Sequence, residues 1–336
     1  MSRLSRRLQR ATVAPVEAPP LSAEARFLET ALRSRAARKA RAQLRQMAPV
    51  VLRAPRWSAV GAFLEELALD LAVGEPGIGC RTVSLRTLHG RGLGEGWQFV
   101  LHIFGQLGRR GWSPSVPASV ADRRGFRWAL GRLLDEAHAA APWRLALLAH
   151  GAEHLPFEIV EDIGLAWEEY RARHPEGPRV TALLAAPPGA RGVTLPGAAE
   201  VDLSDYAEAE AAAALVGRSG PLPVRLIEAA ARFSGGVPDL IDTLGRHARA
   251  GGLAAEPEAL LGALGPMADE MRGAVDIVSA HDDLSDRLYG LLSGEPGRLV
   301  PSVDEPLLDA GLLRPVRAAG GPQVALRTPA LALLVG

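Results

Sequence analysis

Short apolar runs alternate with longer stretches of helical period through the middle of the chain, and this alternation limits the fold more than any other feature. Apolar runs without polar alternation suit strands buried on both faces, and the helical stretches between them supply the crossovers that parallel strands require. Five runs qualify: residues 49–53 (PVVLR), 80–85 (CRTVSL), 144–149 (RLALLA), 179–185 (RVTALLA) and 200–203 (EVDL). Helical patterns occupy 59–72, 96–110, 122–140 and 157–173, the last with Ile159, Ile163, Ala166 and Trp167 on one face. The expected fold class is α/β, a parallel five-stranded sheet with helices on both faces.

After Leu203 the strand pattern stops. Helical segments follow at 206–216, 222–233 and 237–250, then a loop, GGLAAEPEA, and a further short helix. The last stretch predicts a helix over 284–292, a short helix over 305–310 and a hairpin turned at Gly320-Gly321, the outline of a winged helix. At 336 residues the chain suits two or three domains. The expected division is a basic flexible tail (1–20), an α/β core (21–204), a helical lid (205–265) and a winged-helix-like domain (266–336). Within the core a capped helix begins at Ser22, carries Phe27, Leu28, Ala31 and Leu32 on one face, and ends before Pro49.

Lys+Arg and Asp+Glu balance at 38 each, so no global charge draws the chain toward nucleic acid, membrane or acidic ligands. The charge is uneven locally: residues 1–53 hold twelve Lys/Arg against three Glu, a net of +9. A single cysteine, Cys80, makes neither an internal disulfide nor a thiolate zinc site, which fits a reducing cytoplasm. No apolar run approaches the roughly 18 residues of a membrane span, and no secretory signal pattern is expected from the arginine-rich start.

The order of parts, together with RFSGGVPDLIDTL (232–244) and GAEHLP (151–156), resembles the AAA+ ATPases, nearest their origin-recognition and STAND-like branch, over residues 21–336. The resemblance implies a P-loop-NTPase-like sheet, a helical lid and a winged-helix tail. It also marks where nucleotide chemistry belongs, and those positions are altered. A phosphate loop needs G-x-x-x-x-G-K-[ST], because glycines let backbone N–H groups wrap phosphate, lysine neutralises it and the hydroxyl holds magnesium. The matching window is Ala54-Pro55-Arg56-Trp57-Ser58-Ala59-Val60-Gly61. Both glycines are alanine, the lysine is Val60 and the hydroxyl residue is Gly61. Lys39 is the only lysine in the chain and lies in an arginine-rich helix, so none replaces it.

The acidic pair expected after the third strand is His150 and Gly151, with Glu153 two residues beyond. Ala186 stands where a polar sensor belongs, and Asp239 stands where the lid arginine meets the γ-phosphate. Four losses together, one with inverted charge, predict an inactive ATPase with no catalytic residues and no bound cofactor, ATP included. Arg56 remains a candidate to sit near a phosphate, Trp57 is expected to fill the space phosphates would need, and Trp57 or neighbouring apolar side chains are expected to pack the loop against the sheet. His150, Glu153 and His154 lack the H-E-x-x-H order and a third ligand, so no metal is expected. GRGLGEG (90–96) reads as a loop rather than a phosphate cradle.

The basic N-terminal segment is the other lead. Arg3, Arg6, Arg7, Arg10, Arg35, Arg38, Lys39 and Arg41 are candidate partner contacts, or equally a solvated helix. Two function classes follow, with a third behind them. One is a scaffold or regulatory subunit beside a protein partner, such as an active AAA+ subunit. The second is a nucleic-acid-binding factor that uses the basic segment and the tail. The tail is a poor groove reader, since Asp304, Glu305 and Asp309 make its short helix acidic and only Arg314, Arg317 and Arg327 relieve it. The third is an atypical NTP-binding protein.

Overall fold

The computed structural model describes residues 33–88, 92–107, 115–140, 144–190, 192–318 and 321–335. Strands β1 (Val50–Arg53), β2 (Ile78–Ser84), β3 (Arg144–His150), β4 (Val180–Ala186) and β5 (Ala199–Asp202) form one sheet in the order β2-β3-β4-β1-β5, with every pairing parallel. All seven residues of β4 are buried, as a central strand covered on both faces must be.

The direction of each crossover sorts the helices. The connection from β1 to β2 runs back across β4 and β3 and carries α2 (Val60–Gly74), while α1 (Arg33–Arg45) packs on the same face. There Leu44, Phe63, Leu64 and Leu67 meet Val50 and Leu52 of β1 and Leu183 of β4. The connections from β2 to β3 and from β3 to β4 step the other way, so α3 (Leu93–Leu107), α4 (Arg123–Ala139) and α5 (Phe157–Arg173) cover the opposite face. Val51 and Leu184, one residue out of phase with the first set, point into that second core.

The glycine-rich segment differs from expectation: residues 93–96 form the first turn of α3 instead of a loop. Leu93, Trp97, Val100 and Phe104 recur at helical spacing and pack in the second core, and that burial overrides the local cost of the glycines.

The rest of the chain is helical with one small sheet. It comprises α6 (Glu208–Ser219), α7 (Val224–Ser234), α8 (Pro238–Arg249), α9 (Pro257–Leu264), α10 (Pro266–Ser279), α11 (Asp282–Gly290), α12 (Pro301–Asp309) and α13 (Pro329–Val335). Strands β6 (Gly297–Arg298), β7 (Leu313–Ala318) and β8 (Gly321–Leu326) pair antiparallel in the order β6-β8-β7. One cluster of buried side chains runs from Ala211 in α6 to Leu331 in α13. The turn joining α7 to α8 requires Gly235 (φ 61°) and Gly236 (φ 81°), and a Cβ on Gly236 would collide with the Tyr206 carbonyl.

On the far side of the sheet, a ring cluster ties α4, α5 and β4 together. Tyr170 Oη accepts the N–H groups of Arg179 (3.0 Å) and Val180 (3.1 Å), so its own proton goes to Nδ1 of His138, 3.0 Å away. His138 stacks on His174 at 3.8 Å, and His174 Nε2 meets Asp135 at 3.0 Å. Burial, followed by the charges of His174 and Arg179, holds His138 below the ordinary histidine value of 6.5, with Asp135 opposing. The unfolded chain therefore takes up this proton first. The stability that neutral His138 lends the fold is complete above 6.5 and is lost as pH falls below it. A series of melting temperatures against pH is expected to decline on that acid side, and His138→Gln is expected to flatten the decline.

Candidate functional site

The positions that the resemblance marks for nucleotide chemistry lie at the carboxyl ends of β1, β3 and β4, where open parallel sheets form their ligand crevice. Ala54 continues β1 by donating its N–H to the Ala186 carbonyl at 2.8 Å. The loop then turns through two left-handed residues, Trp57 (φ 59°) and Ala59 (φ 49°, ψ 43°), before α2 begins at Val60. Glycine adopts this conformation freely, whereas an L-residue pays about 1–2 kcal/mol in clash of Cβ with the backbone. The loop thus holds at Trp57 and Ala59 a backbone shape that glycine favours. Ala59→Gly is expected to raise stability by up to about 1 kcal/mol, the released strain less the extra chain entropy of glycine. Thermal denaturation of the variant measures it.

Contacts from the helical part hold the loop in that shape. The Ala59 N–H donates to Asp239 Oδ2 at 3.2 Å, and the Asp239 N–H donates to the Trp57 carbonyl at 3.2 Å. One carboxylate therefore serves two helix N-termini, α2 across the crevice and its own α8, where partial positive charge favours an anion. Arg327, at the end of β8 and 1 % exposed, forms a two-pronged pair with Asp205 (Nε–Oδ2 2.8 Å, Nη2–Oδ1 2.7 Å) and donates Nη1 to the Arg56 carbonyl. Asp309, ending α12, accepts the Gly189 N–H at 2.7 Å in the loop after β4. Burial raises the Asp309 carboxyl above the ordinary carboxylate value, while that N–H and Arg53 pull it back.

Several expectations change. The neighbours Ala54 and Val60, rather than Trp57, pack the loop against the sheet, and the Trp57 ring is buried in the cluster built by α6 to α13. A Cβ on Gly311 would lie 3.3 Å from the indole. The left-handed backbone at Trp57 turns the side chain outward to that cluster. The Arg56 guanidinium pairs with Glu270 of α10 at 3.4 Å and lies 5.5 Å from the Trp57 ring centroid. Val60 packs in the α1–α2 core. Arg327, expected to give the tail basic relief, is consumed in the interior. Asp304 is likewise withdrawn from the surface, bound by Arg287 at 2.8 Å.

His150, at the end of β3, brings Nε2 within 3.6 Å of where a Gly61 Cβ would stand, so the two positions implied to share magnesium do face one another. Burial, then Arg86, holds His150 below its ordinary value and hence neutral near pH 7. Gly151 has φ 83°, and a Cβ there would meet Arg86. Glu153 sits on the following short turn and pairs with His154 at 3.5 Å. Among the described residues no three His, Cys, Asp or Glu gather as metal ligands. Cys80 lies in β2, and burial pushes its thiol up to about 11, far from a reactive thiolate.

Of the basic candidates, Arg3, Arg6, Arg7 and Arg10 lie outside the described residues. Arg35, Arg38 and Lys39 are exposed on α1 without an ion pair among the described residues, whereas Arg41 is tied to Asp70 at 2.7 Å. Asp205, Asp309 and Arg327, which anchor the crevice, carried no local signal. Each is one charged residue in an unremarkable stretch, and its partner lies far along the chain.

No protein-family model and no curated protein matches this chain. Among solved structures, the Walker-type ATPase PABY2304 of Pyrococcus abyssi superposes with a TM-score of 0.53 at 15 % identity, over 90 % of this chain and 95 % of that one. Cdc6p of Pyrobaculum aerophilum aligns over 96 % and 95 % at 12 % identity with a TM-score of 0.46. The first of these establishes the fold as that of a Walker-type ATPase; the second is too distant to carry an argument. Among the described residues no helix is long and apolar enough to cross a membrane.

Proposed function

We propose that the chain is a pseudo-ATPase, an AAA+-like body that has given up hydrolysis and serves as a scaffold or regulatory subunit in a protein assembly, beside an active ATPase. The observation that supports this reading is the Asp239 carboxylate on the Ala59 N–H. A phosphate loop works by offering such N–H groups to an anion from solution, and here the chain supplies the anion itself. A phosphate entering at that point would meet a fixed negative charge and no lysine to offset it. The absence of a carboxylate pair at His150 and Gly151 supports the same reading, since neutral imidazole and glycine offer no acid to hold a magnesium water shell. The exposed cations of α1, Arg35, Arg38 and Lys39, suit contact with an acidic surface of that partner.

The test is nucleotide binding. Magnesium-ATP is expected to leave the melting temperature unchanged, whereas a ligand at a hundredfold excess over its dissociation constant adds about 2.7 kcal/mol. Hydrolysis is expected to stay at background in the wild type and in Val60→Lys with Gly61→Thr, because restoring lysine and hydroxyl leaves Asp239 and His150 in place. A clear thermal shift in the wild type, or turnover in the double variant, overturns the proposal.

A further inference from the structure

Helix α4 carries a stripe that the fold does not use. Its inner face, with Phe126, Ala129, Leu130, Leu133 and Leu134, is buried in the second core and anchors the helix. Its outer face shows Arg124, Trp128 and Arg132 at one-turn spacing, a strip about 12 Å long. Trp128 is 59 % exposed. An exposed indole contributes little to the monomer, and Trp and Arg are the side chains most enriched at the centres of protein contacts. The neighbouring Arg123 and Arg127 are committed to α5, through Asp162 at 2.7 Å and Glu169 at 3.7 Å. Arg124 and Arg132 have no ion pair among the described residues.

Helix α5 lies beside α4 and presents the opposite character. Exposed Phe157, Glu161 and Glu168 and half-buried Leu165 follow one another along its outer side, and Glu168 has no ion pair among the described residues. Cross-links set the relative level of the two helices: Arg123 reaches Glu161 at 3.2 Å, and Arg173 reaches the Gly131 carbonyl at 3.5 Å. The helices therefore run parallel, with Trp128 level with the turn from Leu165 to Glu169.

We infer that this two-helix face is an interface with a second copy of the chain. A two-fold axis running between α4 and α5, along their length, lays α4 of one copy over α5 of the other at the same level and in the same direction. Arg124 then faces Glu161 of the second copy, Trp128 covers Leu165, and Arg132 faces Glu168. Symmetry repeats the set, so the fit is used twice and both stripes are covered at once. The balance of 38 basic and 38 acidic residues adds no net repulsion between copies. An unrelated acidic partner would satisfy α4 alone and leave the apolar and acidic line of α5 uncovered.

Sedimentation velocity over a concentration series tests this on the full chain. The wild type is expected to be dimeric at about 100 µM, well above the micromolar range of a modest specific contact. Trp128→Asp is expected to be monomeric there, with an unchanged circular dichroism spectrum because the residue is exposed. Arg132→Glu and Glu168→Arg are each expected to weaken the dimer at least about tenfold, and the two together to recover most of the loss, since each reversed charge again meets its opposite. A monomeric wild type, a Trp128→Asp dimer as tight as the wild type, or a double reversal no tighter than its singles overturns the inference. None of these outcomes depends on whether the nucleotide crevice is active.

Discussion

Replacing Arg327 with methionine lowers the melting temperature by roughly 5 °C, because it strands a nearly buried carboxylate. Asp205 loses both prongs of its partner, and an uncompensated charge of this kind costs about 3–5 kcal/mol, which for a chain of this size corresponds to about 1–2 °C per kcal/mol. The same change removes the donor to the Arg56 carbonyl, so residues 54–59 are expected to exchange their amide hydrogens faster while β3 and β4 hold their protection. Asp205→Leu combined with Arg327→Met is expected to melt well above Arg327→Met alone, since exchanging a whole buried pair for apolar groups is often close to neutral. If Arg327→Met melts within about 1 °C of wild type, the effect of one surface substitution, Arg327 is not the clamp.

The second large effect belongs to Trp57. Truncation to alanine is expected to cost about 3–5 kcal/mol, the range for a buried aromatic, because the indole fills space between the loop and the helical part. The backbone conformation makes the prediction sharper. At φ 59° an alanine keeps the left-handed strain and glycine does not, so Trp57→Gly should be milder than Trp57→Ala by about 1 kcal/mol. Elsewhere the order of those two variants is usually reversed. Trp57→Phe should lose least, since the indole N–H is buried without an acceptor and its removal recovers part of the lost packing. Chemical denaturation of the three variants ranks them, and glycine falling below alanine would show that the loop does not hold its shape through Trp57.

The departures at 54–61, 150–151, 186 and 239 from the pattern that the resemblance implies were legible because each can be matched against a fixed chemical requirement. The sequence also showed which strands lie in the sheet, since a parallel strand buried on both faces must be almost wholly apolar, and 145–149 and, but for Thr181, 180–185 are. Charge reversal at Asp239 was visible too, but what the carboxylate does was not. Its acceptor role depends on α8 being carried 180 positions along the chain to the start of α2, a distance that no local period encodes.

The same limit applies to Trp57, Arg327 and Asp309. Sequence expectation placed the indole against the sheet because the sheet is its neighbour in the chain. The left-handed backbone turns it instead into the cluster of the helical part, beside Gly311 between α12 and β7. Arg327 looked like a surface cation in a hairpin, and only the approach of Asp205 makes its burial tolerable. Local pattern determines which segments can be strand or helix, because propensity and period act over a few residues. Which charged groups are buried, and whose backbone they satisfy, is decided when distant elements dock, because desolvation penalises every charge that fails to find its partner.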